Sequence, residues 1–345
     1  MSACGSDDCG SCFCGSGQRA AVSRPAAVLD DPFAGPADPQ RATVSSTMAE
    51  ARSILRRAEV PSADVDAAAL MQHVLGLSAT AFHTAPDISG PARTAVLQSA
   101  ARRADREPLQ HITGEAGFRR LSLHVGPGVF IPRPETELLV DDALALLPRT
   151  GTAVVVDLGA GSGALGLALA TERPQTRIVA VELDAGALPW LTQNVMKHAE
   201  LLRQAGSSVR VVLGDAGAVS RDGQPLADLA GGAHLVVANP PYIPDEMEPR
   251  DPEVRDYDPE LALFGGPDGL DAVRRWLDTA ADLLAPNAPV LIEHGEQQGG
   301  DDGVPGLLAR HEDIATGGPV WHRISDRQDL TGRPRYTVGH RIPAA

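Results

Sequence analysis

An apolar run that ends in closely spaced glycines constrains the fold of this chain more than any other feature. Residues 153–158 have the pattern of a buried strand, residues 159–163 form a glycine-rich turn, and residues 164–170 are rich in good helix formers. Strand and helix patterns continue to alternate after this point. We therefore expect a doubly wound, mainly parallel α/β sheet that binds its ligands at the carboxyl ends of the strands.

Acidic residues stand at the ends of the next two predicted strands. Glu182 closes the apolar run 177–182, and Asp215 follows the run 209–213 after one glycine. A carboxylate at such a position can accept hydrogen bonds from both hydroxyls of a ribose. We therefore assign Glu182 to a ribose and Asp215 to the amino group of an adenine, so that a nucleoside lies across the strand ends.

Two nucleoside cofactors fit the glycine turn. Residues 161–166 match the pattern GxGxxG, with Glu182 about 20 residues further on, which favours a nicotinamide-dependent oxidoreductase. The glycines, however, begin at Gly159, behind Asp157, and that spacing resembles the first motif of S-adenosylmethionine-dependent methyltransferases. The turn by itself leaves both cofactors open.

The sequence Asn-Pro-Pro-Tyr at residues 239–242 favours the second cofactor. It follows the apolar run 234–238, so it lies at the carboxyl end of a predicted strand. Two prolines remove two N–H donors and fix two φ angles, which makes the turn stiff. The side-chain oxygen of Asn239 and the carbonyl of Pro240 can together accept both hydrogens of one –NH2 group, and Tyr242 offers a flat surface for it. A nitrogen methyltransferase needs such a site, whereas an oxidoreductase does not.

Charge and composition limit the partners that this chain can have. Its 345 residues suffice for two domains, and its formal net charge is −15. That charge argues against direct binding of nucleic acid, which depends on lysine and arginine, but it leaves room for a basic protein partner. The sequence has no apolar run long enough to cross a membrane and no signal peptide. We expect a cytoplasmic monomer that binds no membrane.

The first part of the chain has the composition of a disordered tail. Residues 15–47 are mainly Pro, Ala, Asp and Ser with little periodicity. The chain has four cysteines, all of them near its start: Cys4, Cys9, Cys12 and Cys14. Four thiols can hold zinc or an iron–sulfur cluster, but no pattern around these cysteines could fold around a metal. We therefore predict a disordered tail at 1–47 and no metal site.

The rest of the chain divides into three segments. Helical periodicity over residues 48–110 predicts a small helical domain that docks the substrate. Residues 111–134 read as a hairpin and linker, and residues 135–345 as the catalytic domain. Within the catalytic domain, residues 243–263 read as a polar loop, and two late apolar stretches are expected to pair as an antiparallel edge.

Several longer motifs resemble those of one known family. The motifs lie at residues 130–140, 157–163, 239–244, 265–270 and 293–295. The first of them contains the run Arg-Pro-Glu-Thr-Glu, and together they resemble the release factor glutamine methyltransferases over about residues 48–341. The glycine turn alone is shared by most methyltransferases, and Asn-Pro-Pro-Tyr alone is shared with adenine methylases. The combination is far more specific.

The resemblance implies a fold, a cofactor and a substrate. The fold would be a Rossmann-like, seven-stranded methyltransferase sheet, mainly parallel with one antiparallel edge hairpin, and a small N-terminal helical domain that docks the release factor. The cofactor would be S-adenosyl-L-methionine. The substrate would be the glutamine in the Gly-Gly-Gln motif of class 1 peptide-chain release factors.

The family's site residues can be placed on this sequence by position. The cofactor residues would be Asp157, Leu158, Gly159, Ala160, Gly161, Glu182, Asp215, Ala216 and Asn239. The substrate residues would be Arg133, Asn239, Pro240, Pro241 and Tyr242, of which Asn239, Pro240 and Tyr242 would be catalytic. One departure is Ala216, since the family often has an aromatic residue there to stack on the adenine.

Three other functions compete with this interpretation. An adenine-N6 nucleic-acid methyltransferase would use Asn-Pro-Pro-Tyr to hold the amine of a flipped base, but the chain has no basic target-recognition region. A nicotinamide-dependent oxidoreductase is a second alternative, and a non-catalytic docking protein is a third. The complete set of motifs weighs against the last of these.

Overall fold

The structure, a computed structural model, describes residues 42–77 and 87–343. The four cysteines and most of the predicted tail lie outside this part of the chain. The described chain begins with strand β1 (Ala42–Thr43) and helix α1 (Val44–Arg57). The helical domain therefore begins before residue 48. The predicted tail over residues 1–47 is wrong for residues 42–47, which form β1 and the first turn of α1. The missed signal is an N-cap, because the Thr43 side chain accepts a hydrogen bond from the Ser46 N–H at 3.0 Å.

The N-terminal region is a small helical domain, as predicted. After α1 come α2 (Ala63–Leu75), β2 (Asp87–Ile88), α3 (Gly90–Ala104) and α4 (Leu109–Thr113). Strand β2 pairs with β1 in antiparallel orientation. The helices bury their own apolar cluster, which includes Leu55, Leu70 and Val96. Inside this domain the carboxylate of Asp66 and the guanidinium of Arg103 form an ion pair at 2.7 Å, with both side chains buried.

The predicted hairpin is confirmed. Strands β3 (Glu115–Phe118) and β4 (Leu121–His124) pair in antiparallel orientation. The chain then reaches a 3₁₀ turn at Pro134–Thr136 and helix α5 (Glu137–Leu146). Proline suits the first turn of a helix because it lacks an N–H that would have no partner there.

Within the described residues, seven strands form the main sheet. They are β5 (Ala153–Leu158), β6 (Thr176–Glu182), β7 (Ser208–Leu213), β8 (Leu235–Ala238), β9 (Pro289–Glu293), β10 (Trp321–Gln328) and β11 (Pro334–Arg341). Their order is β10-β11-β9-β8-β5-β6-β7. Strands β5 to β9 pair in parallel, whereas β11 is antiparallel to both of its neighbours, β9 and β10. The predicted Rossmann-like sheet with one antiparallel hairpin at its edge is confirmed.

Helices cover both faces of this sheet. Besides α5, the helices of this region are α6 (Ala164–Glu172), α7 (Leu188–Lys197), α8 (Ala199–Ala205), α9 (Pro252–Tyr257), α10 (Glu260–Leu263), α11 (Asp271–Leu283) and α12 (Val304–Arg310), and all of them except α9 and α10 add residues to the apolar clusters on the sheet. Alternate residues of β5 point to opposite faces, so Val155 joins the cluster under α5 and α6 while Val156 joins the cluster under α11 and α12. Burial on both faces explains why the central strands are continuously apolar.

The predicted polar loop at residues 243–263 contains two short helices, α9 and α10. Pro252 begins α9, which is a favoured position for proline. This segment contacts the N-terminal domain, since the carboxylate of Glu253 pairs with Arg103 at 2.8 Å and with Arg106 at 2.7 Å. The Tyr257 hydroxyl also donates a hydrogen bond to the carbonyl of Asp105 at 3.3 Å. Among the described helices, none has the length and the apolar character needed to cross a lipid bilayer.

Candidate active site

The glycine turn after β5 is held by backbone contacts. The N–H groups of Gly159 and Ala160 both donate to the carbonyl of Val181, at 3.0 and 2.9 Å. Gly159 has a φ of +73°, and a Cβ atom there would lie 2.7 Å from the ring of Trp276. A side chain at this position would therefore be strained and would also collide with its neighbour, which explains the glycine.

Two buried carboxylates hold the turn from behind. Asp157 accepts a hydrogen bond from the Gly166 N–H at 3.0 Å, and Glu182 accepts from the N–H groups of Gly161 at 2.7 Å and Asp184 at 2.8 Å. Burial raises the pKa of Asp157 to about 7, and it also raises the pKa of Glu182. Oδ1 of Asp157 is buried and has no hydrogen-bond partner. That oxygen is therefore available to a donor on a ligand.

Asp215 and Ala216 lie where an adenine is expected, after β7. The carboxylate of Asp215 forms an ion pair with Arg275 and accepts a hydrogen bond from the Gly217 N–H at 2.9 Å. Ala216 is buried and offers no ring for stacking. An aromatic wall comes instead from Trp276 on α11, which the sequence does not identify as a site residue.

The Asn-Pro-Pro-Tyr corner at residues 239–242 is fixed from several sides. Its last carbonyl, that of Tyr242, accepts a hydrogen bond from the Gln298 side chain at 2.9 Å. The same Gln298 amide also donates to the carbonyls of Asp268 at 3.1 Å and Gly269 at 3.3 Å. A Cβ atom at Gly269 would lie 2.1 Å from the Tyr242 carbonyl oxygen. The corner is thus pressed against the turn that precedes α11.

The side chain of Asn239 belongs to a buried polar cluster. Its Nδ2 donates to Oγ1 of Thr136 at a long distance of 3.5 Å. Beside them lies Glu293, which is only 2% exposed, and burial raises the pKa of its carboxyl to about 7. Burial also raises the pKa of the Tyr242 hydroxyl, with Glu293 adding to the effect, so the phenol is neutral at physiological pH.

Arg133 connects the linker to the segment that carries α9 and α10. Its guanidinium pairs with the buried carboxylate of Asp258 and lies 4.9 Å from the centre of the Phe130 ring. Burial raises the pKa of Asp258 to about 6, although the charge of Arg133 opposes this. An arginine that both pairs with a carboxylate and stacks on a ring is held in one orientation.

One cavity brings most of the predicted site residues together. This first cavity has a volume of about 380 Å³. It is lined by Arg133, Asp157, Gly159, Ala160, Gly161, Glu182, Asp215, Ala216, Asn239, Pro241 and Tyr242 among others. Leu158 and Pro240 do not line it. The Leu158 side chain packs in the apolar core, because alternate residues of β5 point away from the cavity, and Pro240 is buried.

A second cavity lies between the helical domain and the corner. Its volume is about 540 Å³, and charged side chains dominate its walls. They are Asp66, Arg103, Arg106, Arg133, Glu135, Asp251, Glu253, Glu293 and Arg335. Tyr242 and Arg133 line both cavities, so the two meet at the corner.

The functional side chains that the sequence does not assign come from distant segments. Glu293 ends a strand that is recognised from its sequence, and Gln298 follows that strand, but no role is predicted for either residue. A usable signal exists for Glu293, because an acid at the end of an apolar strand is the same pattern that identifies Glu182. Nothing in the sequence around Gln298 or Trp276 indicates their contacts.

Comparison with known proteins identifies the two regions. Residues 46–114 match the family described as "PrmC N-terminal domain", and residues 124–248 match "Methyltransferase small domain". The chain is 43% identical over 297 residues to a release factor glutamine methyltransferase of Streptomyces coelicolor, covering 85% of this chain and 96% of that one. It is 42% identical over 293 residues to the enzyme of the same name from Mycolicibacterium smegmatis, covering 85% and 95%.

This chain belongs to the release factor glutamine methyltransferase family. It is also similar to a solved protein-(glutamine-N5) methyltransferase, described as release factor-specific, from Alicyclobacillus acidocaldarius. That similarity has a TM-score of 0.35 and 27% identity and covers 64% of this chain and 99% of the other. Membership of the family makes the chain a methyltransferase, which agrees with its sheet and with the motifs along it.

Proposed function

We propose that this protein transfers a methyl group from S-adenosyl-L-methionine to the side-chain amide nitrogen of a glutamine. The glutamine is that of the Gly-Gly-Gln motif in class 1 peptide-chain release factors. One observation carries the proposal: Asn239 and Tyr242 line the same 380 Å³ cavity as the glycine turn. A group held by the corner is therefore close to a cofactor held by the turn. The family's name supports the choice of substrate.

The residues around the glycine turn fit S-adenosylmethionine. The cofactor has ribose hydroxyls, an adenine amine and an ammonium group, all of which donate hydrogen bonds. The cavity offers matching acceptors in Glu182, Asp215 and the unpartnered Oδ1 of Asp157. When bound, the cofactor supplies a methyl group that its sulfonium has already activated. We therefore assign the binding of the cofactor to Asp157, Gly159, Gly161, Glu182 and Asp215.

The work left to the protein is alignment and charge stabilisation. An amide nitrogen is a poor nucleophile because its lone pair is delocalised into the carbonyl. Oδ1 of Asn239 and the carbonyl of Pro240 would accept both hydrogens of the –NH2 group and turn its lone pair towards the methyl group. Their partial negative charge would also stabilise the positive charge that grows on nitrogen. Good alignment alone can lower a barrier by roughly 7–11 kcal/mol in favourable cases.

The second cavity supports a protein substrate. It lies between the helical domain and the corner and reaches Tyr242, so a loop that enters it would place one side chain beside Asn239. Its mixed walls of arginines and acids suit the polar backbone of a glycine-rich loop. The chain's net charge of −15 favours a basic partner over nucleic acid. A substrate that acts in translation places the enzyme in the cytoplasm.

The two alternative enzymes are less favoured. An adenine-N6 methyltransferase could use the same corner. The cavity beside the corner, however, is lined by acids as well as arginines, and the acids would repel the phosphates of a nucleic acid. A nicotinamide-dependent oxidoreductase would have no use for the corner. Membership of the release factor family also weighs against both.

The direct test is mass spectrometry of a class 1 release factor after incubation with this protein and S-adenosylmethionine. The expected result is a gain of one methyl group on the glutamine of the Gly-Gly-Gln peptide. A release factor with alanine in place of that glutamine is the matched control and should gain nothing. Methylation at another residue, or none while the cofactor binds, would contradict the proposal. A parallel reaction with adenine-containing DNA would detect the first alternative.

A further inference from the structure

Glu293 is a buried acid that lines the second cavity, next to the corner. It is the last residue of β9, and β9 pairs in parallel with β8 through Ala238 and Ile292. Asn239 and Glu293 are the residues that follow this pair, so the sheet places them side by side. At 2% exposure, the carboxyl of Glu293 has almost no contact with solvent. Such burial is costly for an acid and calls for a reason.

The neighbours of Glu293 include both donors and charges. Thr136 and Asn239 lie close enough to its carboxyl to lower its pKa as hydrogen-bond donors, while Oε2 has no hydrogen-bond partner. Thr136 itself is 3% exposed and accepts a hydrogen bond from Asn239. Arg335 on β11 favours the ionised carboxyl, and Glu135 before α5 opposes it. We call the three polar side chains, Thr136, Asn239 and Glu293, the corner cluster.

The orientation of the Asn239 carboxamide is the property that the corner cluster can control. The oxygen and nitrogen of such a group exchange places on a half turn, and only one orientation presents Oδ1 to a substrate –NH2 group. An ionised carboxylate only accepts hydrogen bonds, so it attracts Nδ2. With Nδ2 held by the buried side of the cluster, Oδ1 is left for the substrate.

We propose that Glu293, together with Thr136, is a positioning residue that holds the Asn239 carboxamide with Oδ1 towards the substrate amide. The inference rests on the proposed function and adds two residues to its mechanism. Neither residue needs to touch the substrate. Their effect passes through Asn239, so it should change turnover more than the binding of the cofactor.

Protonation of Glu293 should weaken this control. A neutral carboxyl gains an O–H donor, which can compete with the substrate for Oδ1 of Asn239. Burial places the pKa of Glu293 at about 7, with Arg335 lowering it and Glu135 raising it. The Tyr242 phenol nearby stays neutral in this range. We therefore expect kcat to rise with pH as Glu293 ionises.

The test compares Glu293→Gln with the wild-type protein on a Gly-Gly-Gln peptide. Glutamine has nearly the same shape but can donate as well as accept, so it no longer selects one orientation of Asn239. We expect kcat to fall by about tenfold or more, the value of one good hydrogen bond, while the cofactor's Kd stays unchanged. The rise of kcat with pH should also disappear. Glu172→Gln is the matched control, because Glu172 pairs with Arg119 outside both cavities.

A second pair of variants keeps the test valid if Glu293→Gln does not fold. Thr136→Val removes the hydroxyl at similar volume and should lower kcat, whereas Thr136→Ser keeps the hydroxyl and should restore it. A Glu293→Gln protein with wild-type kcat and pH profile would overturn the inference, as would Thr136→Val with undiminished kcat. An equal loss of cofactor binding and kcat would also overturn it, since that indicates a purely structural role. Failure of the wild-type protein to methylate the peptide would instead contradict the proposed function.

Discussion

The two sides of the first cavity are built in different ways. On the cofactor side, the glycine turn is held by hydrogen bonds over short sequence distances, such as that from Gly166 to Asp157, nine residues away. On the substrate side, the corner is held by side chains from remote segments. Gln298 reaches Tyr242 over 56 residues of sequence, and Thr136 reaches Asn239 over 103. The glycine turn is thus a local motif, whereas the corner requires the complete fold.

This difference suggests that one side of the cavity controls the affinity for the cofactor and the other controls turnover. Changes on the cofactor side should alter the affinity for S-adenosylmethionine and leave the chemistry of the bound complex intact. Changes on the substrate side should alter turnover and leave cofactor affinity intact. Variants on each side can test whether the two sides are as independent as their construction suggests.

The largest effect is expected for Asn239→Ala. This variant removes one of the two acceptors that orient the substrate amide, and loss of one such oriented group typically costs roughly 10²–10³-fold in rate. Single-turnover methylation of a Gly-Gly-Gln peptide measures the rate, and calorimetric titration measures the affinity for the cofactor. A similar loss in both quantities would show that the two sides are not independent.

Glu182→Gln should have a smaller effect, and this effect should be on the affinity for the cofactor rather than on the rate. Glu182 accepts from the N–H of Gly161 in the turn through one carboxylate oxygen and from the N–H of Asp184 after β6 through the other, and a glutamine can accept from only one of them. Hydrogen bonds to a charged group contribute about 1.5–3 kcal/mol, so the Kd for the cofactor should rise by roughly 10- to 100-fold. At saturating cofactor, kcat should remain close to that of the wild-type protein. A large fall in kcat at saturating cofactor would show that the cofactor side also affects turnover.

A matched pair of glycines tests the corner more gently. Gly269 and Gly223 both have a φ of +75°. A Cβ atom at Gly269 would lie 2.1 Å from the Tyr242 carbonyl oxygen, whereas a Cβ atom at Gly223 would have no other atom within 4 Å. Both alanine variants should lose about 1 kcal/mol or more of stability from the left-handed backbone. Only Gly269→Ala should also lower kcat, by about tenfold. Thermal unfolding and peptide methylation measure the two effects, and equal kcat values would remove the link between Gly269 and the corner.

A further comparison, which leaves the rate of the bound complex unchanged, concerns stability and pH on the cofactor side. Burial raises the pKa of Asp157 from 3.8 to about 7, so the folded state binds its proton more tightly than the unfolded state. The resulting stabilisation is fully present below pH 3.8 and is lost as the pH rises towards 7. Asp157→Asn cannot ionise, so its free energy of unfolding should improve relative to wild type by up to about 1.4 kcal/mol per pH unit in that range.

Chemical denaturation at several pH values measures this difference. The Asn side chain can still accept from the Gly166 N–H, so the variant should retain the turn. Parallel stability curves for the two proteins would show that Asp157 is ionised, or protonated, throughout the range. Glu182→Gln gives a second comparison, because burial raises the pKa of Glu182 in the same direction.

The same difference between local and remote contacts explains what the sequence predicts. The order of strands and helices, the glycine turn and the acids after β6 and β7 follow from patterns within about 30 residues, the length of one βαβ unit. The Asn-Pro-Pro-Tyr corner is also a local motif. By contrast, the side chains that support the corner, Thr136, Glu293 and Gln298, come from two segments that are both far from the corner in the sequence. Their roles become visible only when the sheet places them together.

Two local features also differ from the sequence-based expectation. Residues 243–263 are rich in prolines and acids, which favours a loop, but their contacts with the helical domain stabilise α9. The start of α1 before residue 48 depends on a threonine cap, a short signal in a segment whose overall composition is that of a tail. In both cases a specific contact outweighs average composition.

The position of β11 has a consequence for how the enzyme folds during its synthesis. It is the last strand along the described residues, yet it lies between β9 and β10 in the sheet. While a ribosome is still making residues 334–341, β10 has no strand to pair with, and Arg335 cannot take its place in the wall of the second cavity. A nascent chain can therefore assemble its glycine turn long before it has a finished substrate pocket. Catalysis therefore requires that β11 has left the ribosome and has paired with β9 and β10.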